Sequence, residues 1–101
     1  MEKDVAPRAY PVVASRRGVE VNGKKPEVME AYFVAPDSAI FGAVKLEKGS
    51  SVWYGTILRG DKHQITIGRR SLVLDNVRIR ADLGPVKIGS KVFIASSTNI
   101  V

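Results

Sequence analysis

Aliphatic residues recur at a fixed spacing along the chain from residue 34 onward. There are eleven of them, six residues apart within each of three groups and nine apart between groups, which is six plus a three-residue insertion. A period of six fits neither an α-helix nor an alternating strand. It is typical of a chain wound into a parallel β-helix, in which each repeat directs one aliphatic side chain to the axis. The positions are Val34, Ile40, Leu46, Val52, Leu58, Ile67, Val73, Ile79, Ile88, Ile94 and Ile100.

Small residues occupy other positions of the same hexads. Three hexads would make one triangular turn of about 18 residues. Side chains are crowded at the corners of such a turn, where glycine also tolerates positive φ. An antiparallel sandwich has no reason to keep a six-residue register, so the pattern predicts an all-β parallel β-helix. The second position is often small, at Ala35, Gly68, Gly89 and Ala95. The fifth is small or compact at Ser38, Val44, Ser50, Thr56, Ser71, Val77, Val92 and Thr98.

The N-terminal third shows no hexad. Prolines interrupt any long regular element there, at Pro7, Pro11 and Pro26. Val19 and Val21 alternate with a polar residue and precede Asn22-Gly23, the preferred two-residue hairpin turn. We predict a short hairpin near residues 19–25. We also predict two regions, an irregular N-terminal arm over residues 1–33 and a β-helix of under four turns over residues 34–101.

Composition limits the partners and the chemistry. The chain of 101 residues is one domain by length, and it has no cysteine, which excludes disulfides, thiolate metal sites and thiol nucleophiles. The net charge is +6, of which +1 falls in residues 1–33 and +5 in residues 34–101. A basic domain prefers acidic partners or anionic surfaces, so anionic lipid is a candidate partner. We predict no nucleic-acid binding, because the arginines are not interleaved with aromatic residues and no binding motif occurs.

The two ends of the chain raise separate expectations. The three N-terminal arginines Arg8, Arg16 and Arg17 suit a transit peptide, whereas the acidic residues and prolines that surround Arg8 do not. At the other end, the chain stops in mid-hexad at Ile100-Val101, without a polar capping helix. An open β-helix end is an unpaired sheet edge, which proteins normally cover. The β-helix is therefore expected to be truncated there or to be covered by partner subunits.

The central stretch carries a resemblance to a known family. Residues 49–61 read GSSVWYGTILRGD, and the pairs Ile67-Gly68 and Asp75-Asn76 follow. Over residues 32–101 the sequence resembles the gamma-class carbonic anhydrases, with the pattern G-S-S-(I/V)-W-Y-G-x-(V/L)-L-R-G-D. The resemblance implies a left-handed parallel β-helix, an exception to the usual right-handed crossover. It also implies a trimer in which three histidines bind zinc between subunits. Similar proteins of plant and protist mitochondria form a trimer on the matrix side of respiratory complex I.

Four functional positions of that family hold other residues here. Arg80 stands in the place of the first zinc-binding histidine, Ser96 and Val101 in the places of the other two, and Leu74 in that of the catalytic glutamine. Catalytic zinc needs three protein ligands, and arginine stays protonated. The one histidine, His63, lies in the first insertion, where a lone histidine is more often a solvated loop residue than a ligand. The resemblance therefore implies no catalytic residue, no metal site and no cofactor.

Three charged residues are candidates for a subunit interface. Arg59 and Asp61 match the family, in which they form salt bridges that assemble the trimer. The alternative is a solvated pair that contributes about 0–1 kcal/mol. In the family's geometry Arg80 would point into the cleft between subunits and pair with a neighbour's carboxylate. The alternative is an exposed arginine on the solenoid. Trp53 and Tyr54 are expected to be packing residues.

These features lead to three hypotheses about function. The first is a non-catalytic subunit of a hetero-oligomer, within the carbonic anhydrase module of mitochondrial complex I (NADH:ubiquinone oxidoreductase). Its partners would be homologous subunits in a trimer and membrane-arm subunits of complex I. It would lie peripherally on the matrix side of the inner membrane, or in the cytoplasm if the source is prokaryotic. The second is a member of a trimeric zinc enzyme whose active site is supplied by partner subunits. The third is a binding module or a hexapeptide-repeat acyltransferase, for which His63 is the candidate general base.

Overall fold

Short parallel strands make up the fold. The computed structural model describes residues 18–101, so the predicted targeting features, which precede Gly18, lie outside the described part. Residues 18–101 contain no helix, and hence none that could cross a membrane. The strands are β1 Gly18–Val19, β2 Phe33–Val34, β3 Ala39–Leu46, β4 Ser51–Val52, β5 Ile57–Ile67, β6 Leu72–Val73, β7 Arg78–Arg80, β8 Val86–Ile88, β9 Phe93–Ile94 and β10 Asn99–Ile100.

Each strand pairs in parallel with the strand one turn further along the chain. Phe33 pairs with Ser51, at a separation of three hexads. Leu72 pairs with Phe93, at a separation of three hexads and one three-residue insertion. The ladder β1-β3-β5-β7-β10 runs down one side, and β2-β4-β6-β9 runs down another. The predicted fold class, a parallel β-helix of hexapeptide repeats, is confirmed.

The aliphatic positions of the hexads form the core. Nine of the eleven are buried, and the other two, Ile88 and Ile100, are partly buried and pack against them. Within the hexads and insertions, Val44, Ile65 and Val77 are also buried in this cluster. The side chains that alternate with them along the strands point outward. The predicted interface residues Arg59, Asp61 and Arg80 lie at such outward positions of β5 and β7.

Polar residues at the fifth hexad position satisfy the backbone at the corners. The Ser38 hydroxyl donates to the Ala35 carbonyl at 2.7 Å, and the Ser50 hydroxyl donates to the Glu47 carbonyl at 2.8 Å. Both serines are buried, and each bond closes a local turn. A buried hydroxyl requires such a partner. The preference for small polar residues at this position is explained by these bonds as well as by crowding.

Residues 18–33 also contact the solenoid. Val21 and Lys24 exchange two backbone hydrogen bonds of 2.9 Å, which confirms the predicted hairpin around Asn22-Gly23. β1 pairs with β3, and Val28 and Ala31 are buried in the core. These contacts do not decide where one region ends and the next begins, so the boundary between residues 33 and 34 stays a prediction.

The two three-residue insertions lie at one corner. In the pairing of β3 with β5, the register shifts so that Gly42 opposes Gly60 and Val44 opposes Ile65. Residues 61–64 therefore oppose a single residue of the turn before. The second insertion lies one turn further, because β5 pairs with β7 before the insertion and with β8 after it. This corner positions the acidic side chains described next.

Candidate functional site

Two predicted site residues form an ion pair on the outward face of β5, in the first half of the strand. Arg59 Nη2 lies 3.0 Å from Asp61 Oδ2. The Arg59 guanidinium also lies 5.9 Å from the centre of the Phe41 ring, at the outer limit of a cation–π contact. Phe41 occupies the equivalent position one turn earlier, since the two residues are register partners in the ladder. The aromatic ring and the carboxylate therefore restrict the guanidinium on two sides.

The third predicted residue belongs to an equivalent pair one turn further along. Arg80 is the register partner of Arg59, and its Nε lies 3.6 Å from Asp82 Oδ2. Asp82 was not among the sequence-predicted residues. The sequence signal for Asp82 was a repeated Arg-x-Asp pattern. It occurs first at Arg59 and again at Arg80, three hexads and one insertion later. The structure thus shows two stacked ion pairs where the sequence indicated one pair and a single arginine.

Asp61 is strongly constrained by its surroundings. Burial by itself would raise the pKa of this carboxyl. Several interactions outweigh that effect and hold its pKa below the usual range: the hydrogen bond from Arg59, a backbone hydrogen bond, and the positive charges of Arg59 and Lys62. The second oxygen, Oδ1, is buried and accepts no hydrogen bond within the described part of the chain. An ionised carboxylate oxygen in this condition would gain from a further donor.

All three predicted interface residues line one open cleft. Arg59, Asp61 and Arg80 share it with Arg78, with the apolar side chains of Phe41 and Ile57, and with residues of the hairpin and of β10. Three guanidinium groups and one carboxylate make the cleft electropositive. An arrangement of this kind can bind a carboxylate or another oxyanion, because arginine presents several N–H donors in a fixed plane.

The residues at the family's metal-binding positions do not fit a zinc ion. Arg80, Ser96 and Val101 are all exposed, and none of them offers an imidazole or thiolate ligand. His63 is exposed in the first insertion and is not among the cleft's lining residues. Within residues 18–101 no three histidine, cysteine or carboxylate side chains come together as a metal would require. The predicted lack of a metal site and of catalytic residues stays a prediction.

An aromatic cluster occupies the face formed by β2 and β4. The ring centres of Phe33 and Trp53 are 5.8 Å apart in an edge-to-face arrangement, and Tyr54 lies 5.8 Å from Phe33 and 6.5 Å from Trp53. These distances are typical of packed aromatic pairs. The geometry agrees with the expected packing role of Trp53 and Tyr54.

Comparison with known proteins identifies relatives of the chain. Gamma carbonic anhydrase 2, mitochondrial, from Arabidopsis thaliana is 36% identical over an alignment of 89 residues that covers 81% of this chain and 32% of that protein. Gamma carbonic anhydrase-like 1, mitochondrial, from the same plant is 41% identical over 56 residues, 55% of this chain and 22% of that protein. The chain belongs to the gamma carbonic anhydrase family. It spans about a third of the length of the gamma carbonic anhydrases that it matches.

Structural comparison agrees with this family assignment. A crystal structure of a hexapeptide transferase family protein from Anaplasma phagocytophilum superimposes with a TM-score of 0.76 at 34% identity. The superposition covers 83% of this chain and 50% of that one. No family model matches the sequence. The sequence relatives and the superimposed structure together confirm the gamma carbonic anhydrase resemblance read from residues 49–61.

Proposed function

We propose that this gamma carbonic anhydrase family member is a non-catalytic structural subunit of a hetero-oligomer. The observation that carries the proposal is the position of Arg80 and its ion pair with Asp82. Its guanidinium stands where the resemblance places the first zinc-binding histidine, and it is engaged with Asp82 at 3.6 Å. A guanidinium stays protonated, so it offers no lone pair to a metal and repels a divalent cation.

The other metal-binding positions support the same proposal. Ser96 is a weak neutral oxygen donor, and Val101 has no side-chain donor at all. Leu74, at the place of the catalytic glutamine, is a partly buried aliphatic residue that cannot hydrogen-bond a metal-bound water. A single substitution would leave a partial site, whereas four coordinated losses leave none.

We assign the electropositive cleft to contact with homologous subunits in a trimer. Arg59, Asp61 and Arg80 line it together, and the buried Oδ1 of Asp61 lacks a donor from the described part of the chain. A hydrogen-bond donor of a partner subunit would satisfy Asp61 Oδ1. A carboxylate of a partner subunit would pair with the Arg80 guanidinium. Buried charge pairs at interfaces set partner choice and register more than they add affinity.

We place the protein in mitochondria, peripherally on the matrix side of the inner membrane, within the carbonic anhydrase module of complex I. Matched relatives are named as mitochondrial, among them gamma carbonic anhydrases and gamma carbonic anhydrase-like proteins. The basic surface of residues 34–101 suits an anionic membrane or acidic membrane-arm subunits. A prokaryotic source would instead place the protein in the cytoplasm.

A second candidate function is membership of a zinc enzyme through partner subunits. It is favoured by the 36% identity to a protein named as a gamma carbonic anhydrase. In a trimer this subunit borders two clefts and would inactivate both, while the third cleft, between two other subunits, could still hold zinc. The partners' sequences discriminate, since this function requires histidines on both faces of that third interface.

Affinity purification of the tagged full chain from its native source tests the main proposal. We expect homologous subunits and complex I subunits in the mass spectrum, and no stoichiometric zinc on the recombinant chain alone. A recombinant Arg80→His/Ser96→His/Val101→His variant is the matched control for metal uptake, because it restores all three ligand positions. Stoichiometric zinc with carbon dioxide hydration by the unmodified chain would overturn the proposal. A homotrimer without other partners would overturn the hetero-oligomer.

A further inference from the structure

A second corner of the solenoid carries basic side chains that the cleft does not use. Lys48, Arg69, Arg70 and Lys91 are all exposed there, and we call this group the basic corner. Backbone hydrogen bonds stack their turns directly, from Arg70 N to the Lys48 carbonyl at 3.0 Å and from Lys91 N to the Arg69 carbonyl at 2.9 Å. The four cations therefore form two adjacent columns along the solenoid axis, Lys48 with Arg69 and Arg70 with Lys91.

None of these cations forms an ion pair within the described part of the chain. The ion pairs found there join Arg59 to Asp61 and Arg80 to Asp82. Glu47 precedes Lys48 in sequence but comes within ion-pair distance of none of the four. Successive turns of a parallel sheet lie about 4.8 Å apart, so the like charges are close neighbours. Glu30, which stacks one turn before Lys48 through the bond from Gly49 N to its carbonyl at 3.0 Å, and Glu47 offset part of this charge. Four cations against two carboxylates leave an excess of two positive charges, which anions from outside the described part of the chain can offset.

The backbone at the basic corner is strained in a way that glycine would relieve. Arg70 and Lys91 both have φ of 57°, and the equivalent residue one turn earlier is Gly49, with φ of 77°. L-residues other than asparagine and aspartate rarely adopt this conformation. Arginine and lysine are therefore retained where the local geometry disfavours them, and strain at an exposed site points to a function for the side chain.

Another corner of the same turns provides a comparison. The positive φ values there belong to Gly55, Asn76 and Ser97, at 70°, 58° and 65°. Glycine and asparagine are the residues that suit this conformation, and all three of these residues are uncharged. The fold thus tolerates small neutral residues at such corners, and the presence of cations at the other corner is not a requirement of winding.

Apolar side chains adjoin the cations. Val92 and Phe93 follow Lys91 directly and are 37% and 64% exposed. Met29, which is 81% exposed, lines one groove with Lys48 and Arg69. That groove also contains Lys45 and the carboxylates Glu27, Glu30 and Glu47, so its charges balance and the excess positive charge of the basic corner lies at Arg70 and Lys91. Basic residues beside exposed aromatic and aliphatic side chains are typical of protein surfaces that rest on anionic lipid. Bases stack on aromatic rings but not on aliphatic side chains such as Val92 and Met29, whereas the headgroup–acyl boundary of a membrane accommodates both kinds.

We propose that the basic corner is an electrostatic contact site for an anionic phospholipid surface. This proposal extends the membrane location proposed above, and the choice of phospholipid as the binding partner rests on that location. The cations bind lipid phosphates, and the adjoining apolar side chains enter the headgroup region. An outward corner of the solenoid suits a broad surface better than it suits a small enclosed ligand.

Vesicle co-sedimentation of the full chain tests this site. The probes are phosphatidylcholine vesicles with and without phosphatidylserine, and the variant is Arg70→Gly/Lys91→Gly, which removes two charges while suiting the backbone. Its partitioning onto phosphatidylserine vesicles should fall about 30-fold, from about fivefold per charge. Lys24→Gln/Lys25→Gln is the matched control, since it removes the same charge from the hairpin, and its loss should stay below about threefold.

The remaining outcomes are equally decisive. Arg70→Asn/Lys91→Asn is the second variant, because asparagine also adopts positive φ, and it should reproduce the loss if the glycine variant folds poorly. Equal losses in corner and hairpin variants would overturn the proposal, as would undiminished binding to pure phosphatidylcholine. Binding to polyglutamate but not to phosphatidylserine vesicles would also overturn it, in favour of an acidic protein. None of these results affects co-purification with homologous subunits. The lipid contact site and the hetero-oligomeric subunit can therefore be refuted independently.

Discussion

Arg80 occupies the same place in its turn as Arg59 does in the turn before, and each arginine pairs with the aspartate two residues after it, Asp82 and Asp61 respectively. Stacked strands bring the two guanidinium groups close together, and the two carboxylates offset their repulsion. The position at which the family resemblance predicts a metal ligand is thus part of a repeated ion pair.

Acid should weaken the fold through Asp61. Its folded-state pKa lies below the ordinary value of 3.8, so its stabilising contribution is present above that value and is lost as the pH falls through the folded-state pKa. Below about pH 4, the urea concentration at which half of the protein is unfolded should fall more steeply with decreasing pH for the unmodified chain than for Asp61→Asn. Circular dichroism across a pH series measures both. Parallel pH profiles for the two proteins would contradict the assignment.

Gly42 should resist substitution. Its φ is 72°, and a Cβ there would lie 2.7 Å from the Gly60 carbonyl oxygen of the next turn. Gly42→Ala should therefore destabilise the protein by at least about 2 kcal/mol, from backbone strain plus a clash with a rigid backbone atom. Gly84→Ala is the control, because nothing lies within 4 Å of its Cβ position. Similar urea midpoints for both variants would argue against this close approach.

The winding was predictable because it depends on a few repeated constraints. An inward aliphatic side chain every six residues is required wherever three flat segments enclose one axis, as Ile40 and Leu58 show. The three-residue insertions were predictable in position for the same reason, since they interrupt the spacing. The Asn22-Gly23 hairpin followed from local turn chemistry alone.

The site was less predictable because its geometry depends on register between turns. Asp82 becomes significant only when Arg80 is known to stack on Arg59. Val28 stands six residues before Val34, so its burial extends the aliphatic spacing by one position, whereas the buried place of Ala31 carried no such signal. The positive φ of Arg70 was also invisible, because arginine gives no sign of that conformation in sequence.

The Thr56 hydroxyl should contribute measurably to stability. It donates to the Leu74 carbonyl at 2.5 Å and accepts from Val77 N at 3.3 Å, and it is buried. Thr56→Val keeps the shape but removes both bonds, so we expect a loss of about 1–3 kcal/mol. Thr98→Val, which removes a local bond to Ala95 at an exposed corner, should cost less than about 1 kcal/mol. Equal costs in denaturant titrations would show that the bond across turns is unimportant.

The core of the solenoid should be most sensitive at its central turn. Leu58 is completely buried, between Ile40 of the turn before and Ile79 of the turn after. Leu58→Ala removes buried methyl groups and leaves a cavity that the paired backbones around it prevent from closing, so the expected loss is about 2–5 kcal/mol. Leu83→Ala makes the same chemical change in the second insertion, where the side chain is 85% exposed, and should change stability by less than about 0.5 kcal/mol. Urea unfolding of both variants measures the difference, and a loss at Leu83 as large as that at Leu58 would mean that the aliphatic column is not what stabilises the winding.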